Sequence, residues 1–64
     1  MNRYTVEVSA PPWTVRILEP WGEVVHVRDC SDEREARLFA STVRQHIGWL
    51  SEERFRAYYR LPAP

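Results

Sequence analysis

The chain has 64 residues, enough for one small domain, and we expect residues 1–64 to form it. Its nine basic residues, all arginine, balance nine acidic ones, so it lacks the cationic excess typical of proteins built chiefly to bind nucleic acid. Cys30 is the single cysteine, which excludes a disulfide within one chain.

The N-terminal residues MNRYTVEV contain no basic stretch followed by an apolar run, so the sequence predicts no signal peptide. No apolar segment approaches the roughly 18 residues that a transmembrane helix needs. A single free thiol also fits a reducing compartment. We therefore expect a cytoplasmic protein that does not interact with membranes.

Three segments have the composition of β-strands. Residues 3–9 alternate apolar and polar side chains, and the prolines of APP then end the segment. Residues 13–19 (WTVRILE) and 23–29 (EVVHVRD) are rich in β-branched residues. Between them, EPWG has proline and glycine at the positions that a type I turn with a G1 bulge requires. This pattern predicts a hairpin.

The turn also predicts the register of that hairpin. It pairs Glu19 with Glu23, and an unbroken ladder then pairs Arg16 with His26. The predicted core face carries Trp13, Val15, Ile17, Val25 and Val27, and the predicted outer face carries Thr14, Arg16, Leu18, Val24, His26 and Arg28. Because opposed carboxylates repel, we expect Glu19 and Glu23 to lie in solvent.

The hydrophobic period changes to that of a helix after Asp32, a predicted N-cap with Glu35 completing a capping box. The apolar stripe of this helix consists of Ala36, Phe39, Ala40, Val43, Ile47 and Leu50. Gly48 is expected to interrupt or end it. The predicted fold is therefore α+β, a three-stranded antiparallel β-meander packed against one main helix.

A second N-cap is predicted at Ser51, with Leu50 and Phe55 at the positions of a hydrophobic staple. The short C-terminal helix that follows would cover residues 52–60, before LPAP stops it. The complete order of elements is β-β-β-α-α.

The sequence contains no recognisable catalytic or metal site. His26 and Cys30 are four strand positions apart, about 13 Å, which is too far for a thiol and its base or for ligands of one zinc ion. His46 is expected to be exposed on the helix. The acidic residues of DCSDERE could hold a cation, but they also suit a helix N-terminus, which we favour. We expect no enzyme activity, no cofactor and no small-molecule substrate.

Cys30 leaves two interpretations open. Strict alternation along the third strand puts it on the polar face, whereas a strand end that leads into a helix is often tucked into the core. A buried thiol would be inert. An exposed thiol could be redox-sensitive or form a disulfide between chains.

Aromatic residues provide the first candidate binding surface. Five of them are candidates for a protein interface: Trp21, Trp49, Phe55, Tyr58 and Tyr59. Trp21 occupies the hairpin turn, where nothing in the alternation buries it, whereas Trp13 is expected to anchor the core. The C-terminal aromatics either complete the core or form an interface. Our leading hypothesis is a protein-interaction module that self-associates or binds a protein partner.

The predicted outer face of the sheet provides the second candidate, through Arg16, His26 and Arg28. A three-stranded sheet that presents arginines can enter the major groove of DNA. The other interpretation is an ordinary solvated face with an Arg–Glu pair across strands. The alternative hypothesis is therefore a small DNA-binding or regulatory protein.

Residues 13–47, which include WTVRILEPWGEVVHVRDCSDEREA, resemble two families with three strands and a helix. These are the arm-binding domains of phage tyrosine recombinases and the plant AP2 domains, which bind DNA through the sheet. The resemblance implies that Arg16, His26 and Arg28 face DNA and that Trp13, Ala36 and Phe39 lie in the core. Small bacterial and phage proteins and SPOR-like domains share the same order of elements, so we expect a bacterial or phage source.

Overall fold

The computed structural model describes residues 3–62, in which three strands precede two helices. The elements are β1 (Thr5–Ser9), β2 (Thr14–Leu18), β3 (Val24–Asp29), α1 (Glu33–Trp49) and α2 (Glu52–Tyr59). The strands form one antiparallel sheet in the order β1-β2-β3. This architecture confirms the predicted α+β fold and the order β-β-β-α-α.

One face of the sheet packs against α1, and we call it the inner face. Val6 lies opposite Ile17, and Val8 lies opposite Val15. Side chains that are directly opposed across two strands point to the same face. Val15 and Ile17 are fully buried, and α1 contacts both β1 and β2. The alternation in the sequence predicted this face correctly for the first two strands.

The turn between β2 and β3 has the predicted geometry. The Gly22 N–H donates to the Glu19 carbonyl at 2.8 Å, which closes the four-residue turn. Gly22 has a φ of 97°, a left-handed conformation that favours glycine. The Glu19 N–H donates in turn to the Glu23 carbonyl at 2.8 Å. The hairpin therefore starts in the register that the turn predicts.

A β-bulge then shifts that register by one residue. Leu18 pairs with Val24 as predicted, but Ile17 pairs with His26, and the ladder is irregular between these two pairs. Val25 is the extra residue. A bulge sets two consecutive residues opposite one, and here both Val25 and His26 are half-buried. The register predicted beyond Leu18 is wrong because the sequence pattern assumed an unbroken ladder.

The bulge exchanges the faces of the later β3 residues. Arg28 now pairs with Val15 on the inner face, and Val27 pairs with Arg16 on the outer face. Consistently, the Arg28 guanidinium lies 4.7 Å from the centre of the Phe39 ring in α1. The prediction that Arg16, His26 and Arg28 share one face is therefore wrong. So is the prediction that Val27 points into the core.

Helix α1 begins at its predicted cap. The Asp32 carboxylate accepts a hydrogen bond from the Glu35 N–H at 2.8 Å. The Glu35 side chain reaches back one residue further than a standard capping box, to the N–H of Ser31 at 3.1 Å. The predicted stripe faces the sheet, with Ala36, Ala40 and Val43 fully buried and Phe39, Ile47 and Leu50 half-buried.

The two helices meet at a two-residue corner, Leu50 and Ser51. Helix α1 continues through Gly48 and ends at Trp49, one residue beyond the predicted end. The Ser51 hydroxyl caps α2 by accepting from the Arg54 N–H at 3.3 Å, as predicted. Helix α2 ends at Tyr59, because Arg60 adopts a left-handed conformation with a φ of 54°.

Two clusters of buried side chains form the core. The first consists of Tyr4, Ile17, Val43 and Phe55, and the second consists of Val15, Ala36 and Ala40. Leu50 packs on the first cluster together with Phe55, as a hydrophobic staple requires. Trp13 is half-buried against the second cluster, in agreement with its predicted place. Helix α2 therefore contributes to the core mainly through Phe55.

Candidate interaction surfaces

The corner between the helices exposes two large aromatic side chains. Trp49, the last residue of α1, is 75% exposed, and Tyr58 of α2 is 62% exposed. The His46 ring lies beside Tyr58, with 4.6 Å between ring centres. We call His46, Trp49 and Tyr58 the aromatic corner.

Tyr59 supports the aromatic corner through its hydroxyl group and its ring. Its hydroxyl lies 2.6 Å from His46 Nδ1, and its ring centre lies 4.8 Å from that of Phe55. Burial raises the pKa of Tyr59 to about 12, and the neighbouring Tyr58 adds to the effect. The phenol is therefore protonated at neutral pH and can donate to a neutral His46 ring. This bond ties α2 to the last turns of α1.

A second exposed apolar area lies along β3, with its two valines on the outer face of the sheet. It consists of Trp21 in the turn, which is 65% exposed, and of Val24 and Val27, of which Val27 is 54% exposed. Leu18, the partner of Val24, is half-buried beside them. Both helices lie on the inner face of the sheet. Within residues 3–62, no second layer therefore covers Val24 and Val27 on the outer face. We call Trp21, Val24 and Val27 the β3 surface.

A groove lies beside the C-terminal end of β3, between the strand and α1. Its volume is 410 Å³. Its lining combines apolar side chains, Leu38 and Phe39, with charged and polar ones, Arg28, Ser31, Asp32, Arg34, Glu35 and Thr42. Leu38 is exposed, and Arg28 stacks on Phe39. The groove therefore offers an apolar floor with a guanidinium at its rim.

Arg56 makes a set of polar contacts that the sequence interpretation missed. Its Nη1 donates to the Glu19 carboxylate at 2.8 Å and also to the Tyr4 hydroxyl, and its Nη2 donates to the Pro62 carbonyl. We call these four residues the Arg56 clamp. It joins α2 to the residue before β1, the residue after β2 and the segment that follows α2.

Glu19 lies inside this clamp with only 3% of its surface exposed, so the prediction that it lies in solvent is wrong. Burial raises the pKa of the Glu19 carboxyl, and the negative charges of Glu23 and Glu52 raise it further. The alternation of β2 contained a usable signal, because Glu19 follows Val15 and Ile17 at the same two-residue spacing. A buried carboxylate requires a partner, and Arg56 supplies it.

The five aromatic candidates separate into exposed and buried residues. Trp21, Trp49 and Tyr58 are exposed, as an interface requires. Phe55 is fully buried in the first core cluster, so its prediction as an interface residue is corrected to a core residue. Tyr59 is half-buried and supports the corner rather than forming its surface. The sequence signal for burial of Phe55 was its position in the hydrophobic staple with Leu50.

The residues predicted to face DNA are divided between the two sides of the sheet. Arg16 lies on the outer face, where its Nη1 donates to the Ser9 hydroxyl at 2.7 Å. His26 and Arg28 lie on the inner side, near Phe39. The three side chains therefore form no common basic surface. DNA binding itself stays a prediction, without this geometric support.

Cys30 lies between its two predicted extremes, being half-buried and packed against the second core cluster. Burial raises the pKa of its thiol, and the charge of Glu35 raises it further. The thiol is therefore protonated at neutral pH, which makes it a poor nucleophile. Among residues 3–62, no group of three or more His, Cys, Asp or Glu side chains could hold a metal ion.

In the same part of the chain, neither helix has the length and apolar character needed to cross a membrane. Comparison with family models, with curated proteins and with solved structures finds no match for this chain. The resemblance to recombinase arm-binding domains and AP2 domains therefore stays a prediction.

Proposed function

We propose that this protein is a non-enzymatic interaction module that binds an apolar segment of a partner protein through the aromatic corner. The observation that carries the proposal is the exposure of Trp49 and Tyr58, 75% and 62%, at the corner between the two helices. Tryptophan and tyrosine are enriched among the residues that dominate binding energy at protein interfaces. The cytoplasm is the proposed location, because a lone thiol stays reduced there.

The support beneath the corner favours binding. The Tyr59 hydroxyl contacts His46, and the Tyr59 ring lies 4.9 Å from that of Tyr58. Side chains that are already held in place lose little conformational entropy when a partner binds. An exposed aromatic surface of this kind suits an apolar peptide or helix better than a charged one.

The test selects peptides from a random display library with the wild-type protein and measures their affinity for variants. We expect enriched peptides rich in apolar residues. Their affinity should fall about 30-fold or more in the variant Trp49→Ser with Tyr58→Ser, because loss of an interface hot spot costs about 2 kcal/mol or more.

Trp21→Ser is the matched control, because it removes an equally exposed tryptophan at a different surface. It should leave peptide affinity unchanged. Circular dichroism should show all variants folded, since exposed substitutions away from special features change stability by about 0.5 kcal/mol or less. Failure to enrich peptides, or equal binding to the corner variant, would contradict the proposal.

A further inference from the structure

The outward edge of β3 has unpaired backbone groups. β3 is the last strand of the sheet, and no other strand of residues 3–62 continues it. The Cys30 N–H donates to the Trp13 carbonyl at 2.9 Å, which marks a hydrogen-bonded pair with the chain before β2. Such pairs alternate with non-bonded ones in an antiparallel ladder. The N–H and C=O of Arg28 therefore face β2, and those of Val27 face outward.

We propose that a second copy of this chain pairs with this edge in an antiparallel manner, with the two-fold axis between Val25 and His26. In this register Val24 lies opposite Val27 of the second copy, and Val25 lies opposite His26 of the second copy. The interface uses the β3 surface rather than the aromatic corner, so it does not depend on the function proposed above.

The bulge selects this register. Val24 and Val27 both lie on the outer face, and Val25 and His26 both turn inward, so every opposed pair shares a face. Registers displaced by one or two residues each set an outward side chain opposite an inward one. An interrupted edge also discourages pairing with regular strands. A strand with the same bulge has the same spacing of outward backbone groups and can therefore pair with this edge.

Charges agree with the same register. Glu23 lies opposite Arg28 of the second copy, and the symmetry produces this pair twice. Both residues are exposed in the single chain. Opposite charges across strands stabilise a ladder, whereas like charges in these positions destabilise it.

The turn residue Trp21 completes the contact. In this antiparallel pairing, the turn that carries Trp21 lies near the C-terminal end of β3 of the second copy, beside its groove. The groove volume of 410 Å³ accommodates an indole ring, and Leu38 and Phe39 form its apolar floor. Trp21 of each copy thus lies beside a partly apolar groove of the other copy.

The experiment measures molar mass by light scattering during size exclusion at high micromolar concentration. The wild type should have twice the mass of one chain. Glu23→Arg and Arg28→Glu should each elute as single chains, because each variant alone sets like charges opposite each other. An equimolar mixture of the two variants should recover the doubled mass, since only the mixed pair has opposite charges at both positions.

Further variants distinguish loss of this interface from changes at the aromatic corner and from unfolding. Val27→Lys should also have the mass of one chain, because Val27 lies in the proposed interface. Trp49→Ser should keep the doubled mass, because it changes only the aromatic corner. Circular dichroism verifies that each variant is folded. Any of three results would overturn the proposal. These are a wild type with the mass of one chain, charge variants that keep the doubled mass, and a mixture that keeps the mass of one chain. None of these results would bear on peptide binding at the corner.

Discussion

Two ion pairs of nearly equal length have very different surroundings in this protein. Arg56 lies 2.8 Å from Glu19, and both side chains are largely buried, whereas Arg37 lies 2.7 Å from Glu33 and both are exposed. Water screens the exposed pair and leaves it little net energy. The buried pair is different, because removal of one partner leaves a charge without water or a counterion.

We therefore expect Arg56→Met to lower the free energy of unfolding by about 3 kcal/mol or more, because Glu19 is then buried and unpaired. The matched control, Arg37→Met, should lower it by about 0.5 kcal/mol or less. Urea unfolding measures both. Adding Glu19→Gln to Arg56→Met should recover part of the loss, and equal effects of the two arginine variants would show that burial is not the cause.

Tyr59 predicts a loss of stability at alkaline pH. Its pKa is about 12 in the folded chain, against an ordinary value of 10.0. The unfolded chain thus releases this proton first, so the contribution of Tyr59 to the free energy of unfolding is constant below pH 10 and falls as the pH rises toward 12. Unfolding in urea across this range measures the decrease.

Tyr59→Phe should remove that decrease, because phenylalanine has no proton to release. Tyr58→Phe should keep most of it, since burial and not the Tyr58 charge is the main cause of the raised pKa. If the two variants had the same alkaline profile, Tyr59 would not be the titrating group.

The elements themselves differ in how far local sequence determined them. The turn Glu19 to Gly22 was predicted correctly, because proline and glycine have conformational limits of their own. The bulge at Val25 was not predicted. It turns His26 and Arg28 toward Phe39 of α1, and no property of their neighbours in the sequence announces those contacts.

Substitution of alanine for each of the two glycines should change the free energy of unfolding in opposite directions. An added methyl group would meet no atom within 4 Å at either Gly22 or Gly48. Gly22 has a φ of 97°, so Gly22→Ala should lower the free energy of unfolding by about 1–2 kcal/mol through backbone strain. Gly48 lies inside α1, so Gly48→Ala should raise it by about 0.5–1 kcal/mol. Thermal or urea unfolding should separate the two variants, and a change of the same sign in both would contradict this account.

Within residues 3–62, a single helical layer leaves one side of the sheet uncovered. The core uses the inner face, and the outer face exposes Val24 and Val27 beside Trp21. A chain of this length can bury only about 60% of the surface that its unfolded form exposes. The two proposed interfaces, at the aromatic corner and at the edge of β3, are the places where further apolar surface can be buried.

Local sequence was enough to predict the number and order of the elements, the hairpin turn and the caps at Asp32 and Ser51. These features depend on residues within a few positions of one another, so periodicity and capping chemistry suffice to predict them. It also correctly left Trp21 outside the core.

Three features could be known only from long-range packing: the faces of the β3 residues, the burial of Glu19, and the burial of Phe55 while Tyr58 stays exposed. Each of these depends on contacts between distant parts of the chain, such as that between Glu19 and Arg56. Alternation shows which residues share a face only while the ladder is unbroken, and a single bulge reverses the assignment beyond it. The packing of α1 and α2 on the sheet therefore determined which side chains remain for a partner.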